Sequence, residues 1–207
     1  PKLFINDEKL FNANFGWSKE RTLFKDRLNL NYNGIKEGDN WGKKWESAWF
    51  ELSIKIPSKW EGKTLATNLD FSGEGLVYDI DGNEIQGITN GAIWDPNFAR
   101  TRVIIDKKLI FNQNLKLWVE AAANSLFGVY TDPDVKEDSP KKHGWFDAKV
   151  EKIRVGIFDI ELWHLYLDVR ILMGLIKHLD ENSVQRSRII TALSDSINAF
   201  RGTEKRS

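Results

Sequence analysis

Trp49-Phe50-Glu51-Leu52-Ser53-Ile54-Lys55-Ile56-Pro57 is the stretch on which the fold class turns. Phe50, Leu52, Ile54 and Ile56 alternate with Glu51, Ser53 and Lys55, and Pro57 stops the run. A β-strand sends successive side chains to opposite faces. The pattern therefore predicts a half-buried strand with its apolar set on the core side. Working outward, Leu65 to Phe71 reads as a second strand ending at Ser72-Gly73. Leu76-Val77-Tyr78-Asp79-Ile80 runs into Asp81-Gly82, a hairpin signal, and Glu84-Ile85-Gln86 runs on to Gly87. Arg102 to Ile105, Leu115 to Glu120, and Lys152 to Phe158 complete the set. Short strands broken by regular turn signals predict a sandwich or barrel.

Beyond Phe158 the period changes. Leu162, Leu165, Tyr166, Val169, Leu172, Met173, Ile176 and Leu179 recur at helical spacing, with Trp163, Leu167, Ile171 and Leu175 on other faces. A helix apolar on several sides is buried on several sides, so this one requires more than one partner surface. Asp180-Glu181-Asn182-Ser183 breaks it, and a shorter helix carries Ile189, Ile190, Leu193, Ile197 and Phe200. The expected organisation is an N-terminal segment over residues 1–35 with no assigned structure, a β-sandwich over 36–158, and a helical portion over 159–207. Tyr130 to Gly144 reads as a long polar loop.

Composition removes several function classes. The 207 residues carry 30 basic and 30 acidic side chains, so no bulk field favours nucleic acid or an anionic membrane. There is no cysteine, which excludes disulfides, thiolate catalysis and cysteine metal sites. The apolar stretch from Ile157 to Leu179 contains Asp159, Glu161, Asp168, Arg170 and Lys177. Mid-span charges cost ~2.5–3.5 kcal/mol each, so it does not read as a membrane span. The early charges at Asp7, Glu8 and Lys9 do not suit a signal peptide, and a cytoplasmic location is expected. A start at Pro1 and a polar end at Ser207 suggest a piece of a longer chain.

Catalytic patterns are sparse. His164 and His178 stand fourteen positions apart on one predicted helix, roughly 20 Å at 1.5 Å per residue, so they cannot share a metal. His143 falls in the polar loop. There is no Gly-x-Ser-x-Gly elbow, and Gly73-Glu74-Gly75 lacks the third glycine of a dinucleotide loop. Asp70, Glu74 and Glu120 lie in or near strands, but nothing in the sequence raises the pKa of one of them, as a glycosidase pair requires. No catalytic, metal or cofactor-binding residue is assigned. The nine tryptophans are the unusual feature. Indole faces stack on the C–H faces of pyranose rings, and they also fill cores and interfaces. Trp41, Trp45, Trp94, Trp145 and Trp163 are the candidates for sugar or interdomain contact.

The run Gly38-Asp39-Asn40-Trp41-Gly42-Lys43-Lys44-Trp45-Glu46-Ser47-Ala48-Trp49-Phe50 is similar to a pattern of cytosolic and vacuolar α-mannosidases, family 38 of the glycoside hydrolases. Ile56-Pro57-Ser58-Lys59-Trp60-Glu61-Gly62, Gly73-Glu74-Gly75, Gln86-Gly87-Ile88-Thr89 and Leu117-Trp118-Val119-Glu120-Ala121-Ala122-Ala123-Asn124 follow in the same order. The resemblance implies a mainly β chain with C-terminal α structure: a galactose-binding-like, jelly-roll β-sandwich followed by two helices. It implies an accessory domain of an enzyme that hydrolyses α-mannosidic bonds in glycans. That enzyme's zinc, its His-x-His-x-Asp motif and its retaining Asp nucleophile lie in a catalytic domain downstream, and none has a counterpart here. The implied partners are that catalytic domain, a second copy of the chain, or a glycan. The alternatives are a stand-alone carbohydrate-binding module and a structural or oligomerisation module.

Overall fold

The structure, a computed structural model, describes residues 8–43, 45–90, 99–124 and 148–204. They fall into a β unit within Phe4–Phe158 and a helical unit within Asp159–Ser207. Trp94, Trp145, His143 and the predicted loop from Tyr130 to Gly144 lie outside the described residues.

The quoted strand is β5, Ser47–Lys55, and it lies within the larger sheet. Its neighbours are β2 (Asn12–Ser18) and β11 (Asn114–Ala122). The sheet runs β3 (Tyr32–Ile35), β2, β5, β11, β7 (Glu74–Tyr78), β8 (Glu84–Thr89), with β10 (Ile110–Phe111) folded back on β11. A second sheet orders β1 (Lys9–Leu10), β13 (Lys152–Ile157), β6 (Leu65–Asp70) and β9 (Arg102–Ile105). A short pair joins β4 (Asn40–Gly42) to β12 (Ala148–Lys149). All these pairings are antiparallel.

Alternation decides which residues meet between the sheets. Phe50, Leu52, Val77, Leu115, Leu117 and Val119 of the larger sheet join Leu65, Leu69, Val103, Ile105, Ile153 and Val155 of the smaller in one core. Phe50, Leu52 and Ile56 are buried as the period-two pattern predicts, and half-buried Ile54 packs against the same cluster. The fold is thus the expected jelly-roll β-sandwich, with the Asp81-Gly82 turn joining β7 to β8 and Gly82 at φ +91°.

The sandwich reaches back past the boundary expected at residue 36. Strand β2 inserts beside β5, with Phe15 opposite Phe50. Its inward set contains small Ala13, and its outward set is Asn12, Asn14 and Gly16, so the apolar contrast that marks a strand is faint. The next stretch does a second job. The 3₁₀ turn Phe24–Asn29 lies over the outer face of the large sheet, covering Trp49, Tyr78 and Trp118 with Phe24, Leu30 and Tyr32. Trp49 Nε1 donates to the Thr22 carbonyl at 2.8 Å. The buried Arg27 guanidinium stands 3.6 Å from the Phe24 ring centre and 4.4 Å from that of Trp118. Glycine makes this cover possible: a Cβ on Gly16 would come within 2.8 Å of Leu30 Cβ, and one on Gly82 within 2.6 Å of the Phe24 ring. The centre of the β unit is therefore apolar on both faces of β5.

The helical unit is a pair, α1 (Ile160–Ile176) packed on α2 (Val184–Glu204). Asp159 caps α1 by accepting the Leu162 N–H at 2.9 Å, and Ser183 accepts that of Arg186 at the start of α2. No residue of α1 is buried. Ile171, Met173 and Leu175 are 61%, 55% and 47% exposed.

Candidate functional site

The strand registers place one residue from each of five strands in a row across the end of the large sheet. Ser18 of β2 pairs with Ser47 of β5, Ser47 with Ala122 of β11, Ala122 with Glu74 of β7, and Glu74 with Thr89 of β8. Neighbouring strands lie ~4.8 Å apart, so this rim extends for roughly 20 Å. The side chains that collect along it are the candidate site.

At one side stand Trp17 and Trp45, 47% and 56% exposed. Trp17 Nε1 donates to Glu46 Oε2 at 2.8 Å, and the same oxygen accepts the Lys43 N–H at 2.7 Å. Glu46 N–H closes the turn onto the Lys43 carbonyl. Trp45 N–H donates to the Ala123 carbonyl, and Ala123 N–H donates back to the Glu46 carbonyl. The turn is thus strapped to β11 and to β2. Trp45 sits at φ +67°. That left-handed conformation costs a bulky L-residue ~1–2 kcal/mol. Leaving about half an indole in water forgoes on the order of 2 kcal/mol more.

Two strand spacings along the rim, Asn124 and Glu74 bind each other reciprocally. Asn124 Nδ2 donates to Glu74 Oε2 at 2.9 Å, and Glu74 N–H donates to Asn124 Oδ1 at 3.2 Å. A cavity of about 460 Å³ opens beside them, lined by Glu74, Leu76, Gly87, Thr89 and Arg100 among others. At the opposite end of the sandwich a second hollow of about 320 Å³ is lined by Pro57, Glu61, Lys63, Lys107 and Gln113 among others.

The structure separates the tryptophans named from sequence. Trp45 reaches the rim. Trp41 does not: it is buried edge-on against Phe50 at 5.4 Å, with Nε1 donating to the Phe71 carbonyl, so its face is closed to any sugar. Strand β4 turns it inward, which the exposed-looking Asn40-Trp41-Gly42 sequence does not reveal. Trp163 is half-buried on α1, stacked with Tyr166 at 5.6 Å. Trp17, Glu46 and Asn124 escaped sequence reasoning, because nothing local shows that strand ends far apart in the chain share one rim.

The carboxylates have structural partners. Asp70 accepts the Ser72 N–H at 2.9 Å. Glu120 takes both Arg21, at 2.5 and 3.1 Å, and the Tyr78 hydroxyl at 3.2 Å. That ion pair holds the Arg21 guanidinium above its usual range, while burial, then Glu120, pushes the Tyr78 phenol up. Glu37, Asp79 and Asp106 are all displaced downward. The hydrogen bond from Arg154 leads for Glu37. For Asp79, burial opposes but the hydrogen bonds from Asn83, Asp81 and Gly82 prevail, and the Lys108 N–H leads for Asp106. A general acid needs the opposite displacement. Among the described residues no three His, Asp or Glu side chains converge as a metal site would need.

A family model described as the jelly roll domain of α-mannosidase, Ams1-like, matches residues 12–151. Alpha-mannosidase G of Dictyostelium discoideum is 26% identical over 179 residues, which is 86% of this chain and 16% of that protein. Alpha-mannosidase 2C1 of Homo sapiens is 23% identical over 181 residues, again 86% of this chain and 16% of the relative. The chain thus spans about one sixth of the length of these relatives. Among solved structures, a Ruminococcus gnavus beta-glucuronidase shares 12% identity with a TM-score of 0.48, over 76% of this chain and 31% of that one.

Proposed function

The chain belongs to the family of α-mannosidase jelly roll domains, and from that premise we propose that it is the accessory N-terminal domain of an enzyme hydrolysing α-mannosidic bonds in glycans. The observation that carries this reading is the family match over residues 12–151, the span that builds nearly all of the sandwich. The carboxylates support a role without chemistry: Glu120, Asp70 and Glu74 each accept a hydrogen bond from a structural partner. In this reading zinc and the nucleophile belong to the catalytic domain of the same polypeptide, and the enzyme works in the cytoplasm. No helix among the described residues is long and apolar enough to cross a membrane.

The domain's contribution is to folding, assembly or substrate access. The helical pair supplies the surface for it. Helix α1 buries no residue, although most of its positions are apolar, and an apolar helix requires cover. The catalytic domain is the proposed cover. The test is hydrolysis of an aryl α-mannoside by this chain with zinc supplied. No turnover above the uncatalysed rate is expected, and turnover that a chelator abolishes would overturn the non-catalytic reading.

A further inference from the structure

We propose that the sandwich rim built by Trp17, Trp45 and Glu46 stacks on a pyranose ring of a neutral glycan, and that the Asn124–Glu74 pair binds hydroxyls further along the same chain of sugars. The aromatic side argues for a ring face. Among the described tryptophans, Trp41, Trp49, Trp60 and Trp118 are each at most 3% exposed, whereas Trp17 and Trp45 are both about half in water, and Trp17 donates its indole N–H to Glu46, the residue that follows Trp45. Because Trp17 spends its N–H on Glu46, what it offers a ligand is its apolar face. Trp45 is displayed from a turn held by backbone bonds to Ala123 at a φ that favours glycine or asparagine. A tryptophan at this φ carries backbone strain while more than half of its surface stays in water, and such strain collects at ligand sites.

The polar side argues for hydroxyls. Asn124 and Glu74 each use one contact to fix the other and keep further donor and acceptor capacity. Sugar hydroxyls both donate and accept, which matches an amide beside a carboxylate. Glu46 and Glu74 disfavour phosphate or another anion on the rim itself, while Arg100 lines the adjoining hollow. The neighbouring 460 Å³ hollow is within the usual range for a small-molecule site, ~300–1,000 Å³. The distance from Ser47 to Glu74 along the rim, two strand spacings or ~10 Å, suits an extended saccharide rather than a single ring.

The experiment is a titration of the chain followed through its indole N–H resonances. The ligands are methyl α-mannoside and an α-linked mannobiose, with lactose and cellobiose alongside. Saturable shifts at Trp17 and Trp45 are expected. Trp45→Asn relieves the backbone strain while removing the platform, so it should weaken binding by at least about tenfold with an unchanged or raised melting temperature. Asn124→Ala should weaken binding severalfold. A fall in melting temperature with Trp45→Asn, or wild-type affinity in that variant, would show that Trp45 is a packing residue and overturn the proposal. The choice of mannosides rests on the proposed function. Shifts with lactose or cellobiose alone would support the rim as a glycan site and count against the mannosidase reading. Silence with all four sugars would overturn the site and leave that reading intact.

Discussion

Phe50→Ala is the substitution that most directly tests how the sandwich is held together. Phe50 is 0% exposed and sits at the centre of an aromatic group. Its ring centre lies 4.3 Å from that of Phe71, 5.4 Å from Trp41 and 6.1 Å from Phe15. Removing the ring forfeits ~2 kcal/mol of transfer free energy. It also leaves a hole of roughly 80 Å³ if neighbours hold their places, worth ~2 kcal/mol at 24 cal/mol per Å³. The expected loss is therefore ~4 kcal/mol, within the ~3–5 seen for buried aromatic truncations. The assay is urea unfolding followed by tryptophan fluorescence, to which the buried Trp41, Trp49, Trp60 and Trp118 of the β unit contribute. Phe111→Ala is the control: Phe111 is 76% exposed, and a change under ~0.5 kcal/mol is expected. A loss below ~1 kcal/mol for Phe50→Ala, or no difference between the two variants, would refute the assigned face of β5.

Gly82→Ala places a Cβ 2.6 Å from the Phe24 ring at φ +91°, so it should cost ~1–2 kcal/mol and loosen the 3₁₀ cover, read as faster hydrogen exchange around Trp49. Glu37 accepts two hydrogen bonds from Arg154, at 2.8 and 2.6 Å, and its carboxyl is held below the usual range. A depressed folded pKa gives stability that is present above the unfolded value, near 4.5, and lost as pH falls through the folded value. The advantage of the native chain over Glu37→Gln should accordingly hold at pH 6–7 and shrink as the pH is lowered below about 4.5. For the helical unit, sedimentation across concentration should show self-association of the isolated chain through α1, reduced by Ile171→Glu, which replaces a 61% exposed apolar side chain. A monomer at all concentrations would show that α1 is not an interface between copies of the chain.

Local physics made the longer alternating strands, from β5 onward, readable. Phe50, Leu52 and Ile56 alternate with polar residues, and alternation alone assigns them to one face once a strand forms. Asp81-Gly82 marked its turn because only glycine adopts φ near +90° without strain. The change from period two to period 3.6 after Phe158 marked where strand reading gives way to helix reading, and α1 begins at Ile160. The run from Gly38 to Phe50 also carried the resemblance that the family match over residues 12–151 bears out. Tertiary structure decided the rest. That β2 lies beside β5, that Trp41 turns inward while Trp45 turns out, and that residues 22–32 cover Trp49 and Trp118 depend on contacts between distant parts of the chain. The rim is the clearest case: Ser18, Ser47, Ala122, Glu74 and Thr89 share one line only because four registers align them. Side-chain periodicity is a property of a single strand, whereas a site is a property of how strands are paired, and pairing is fixed by the shared core that they bury together.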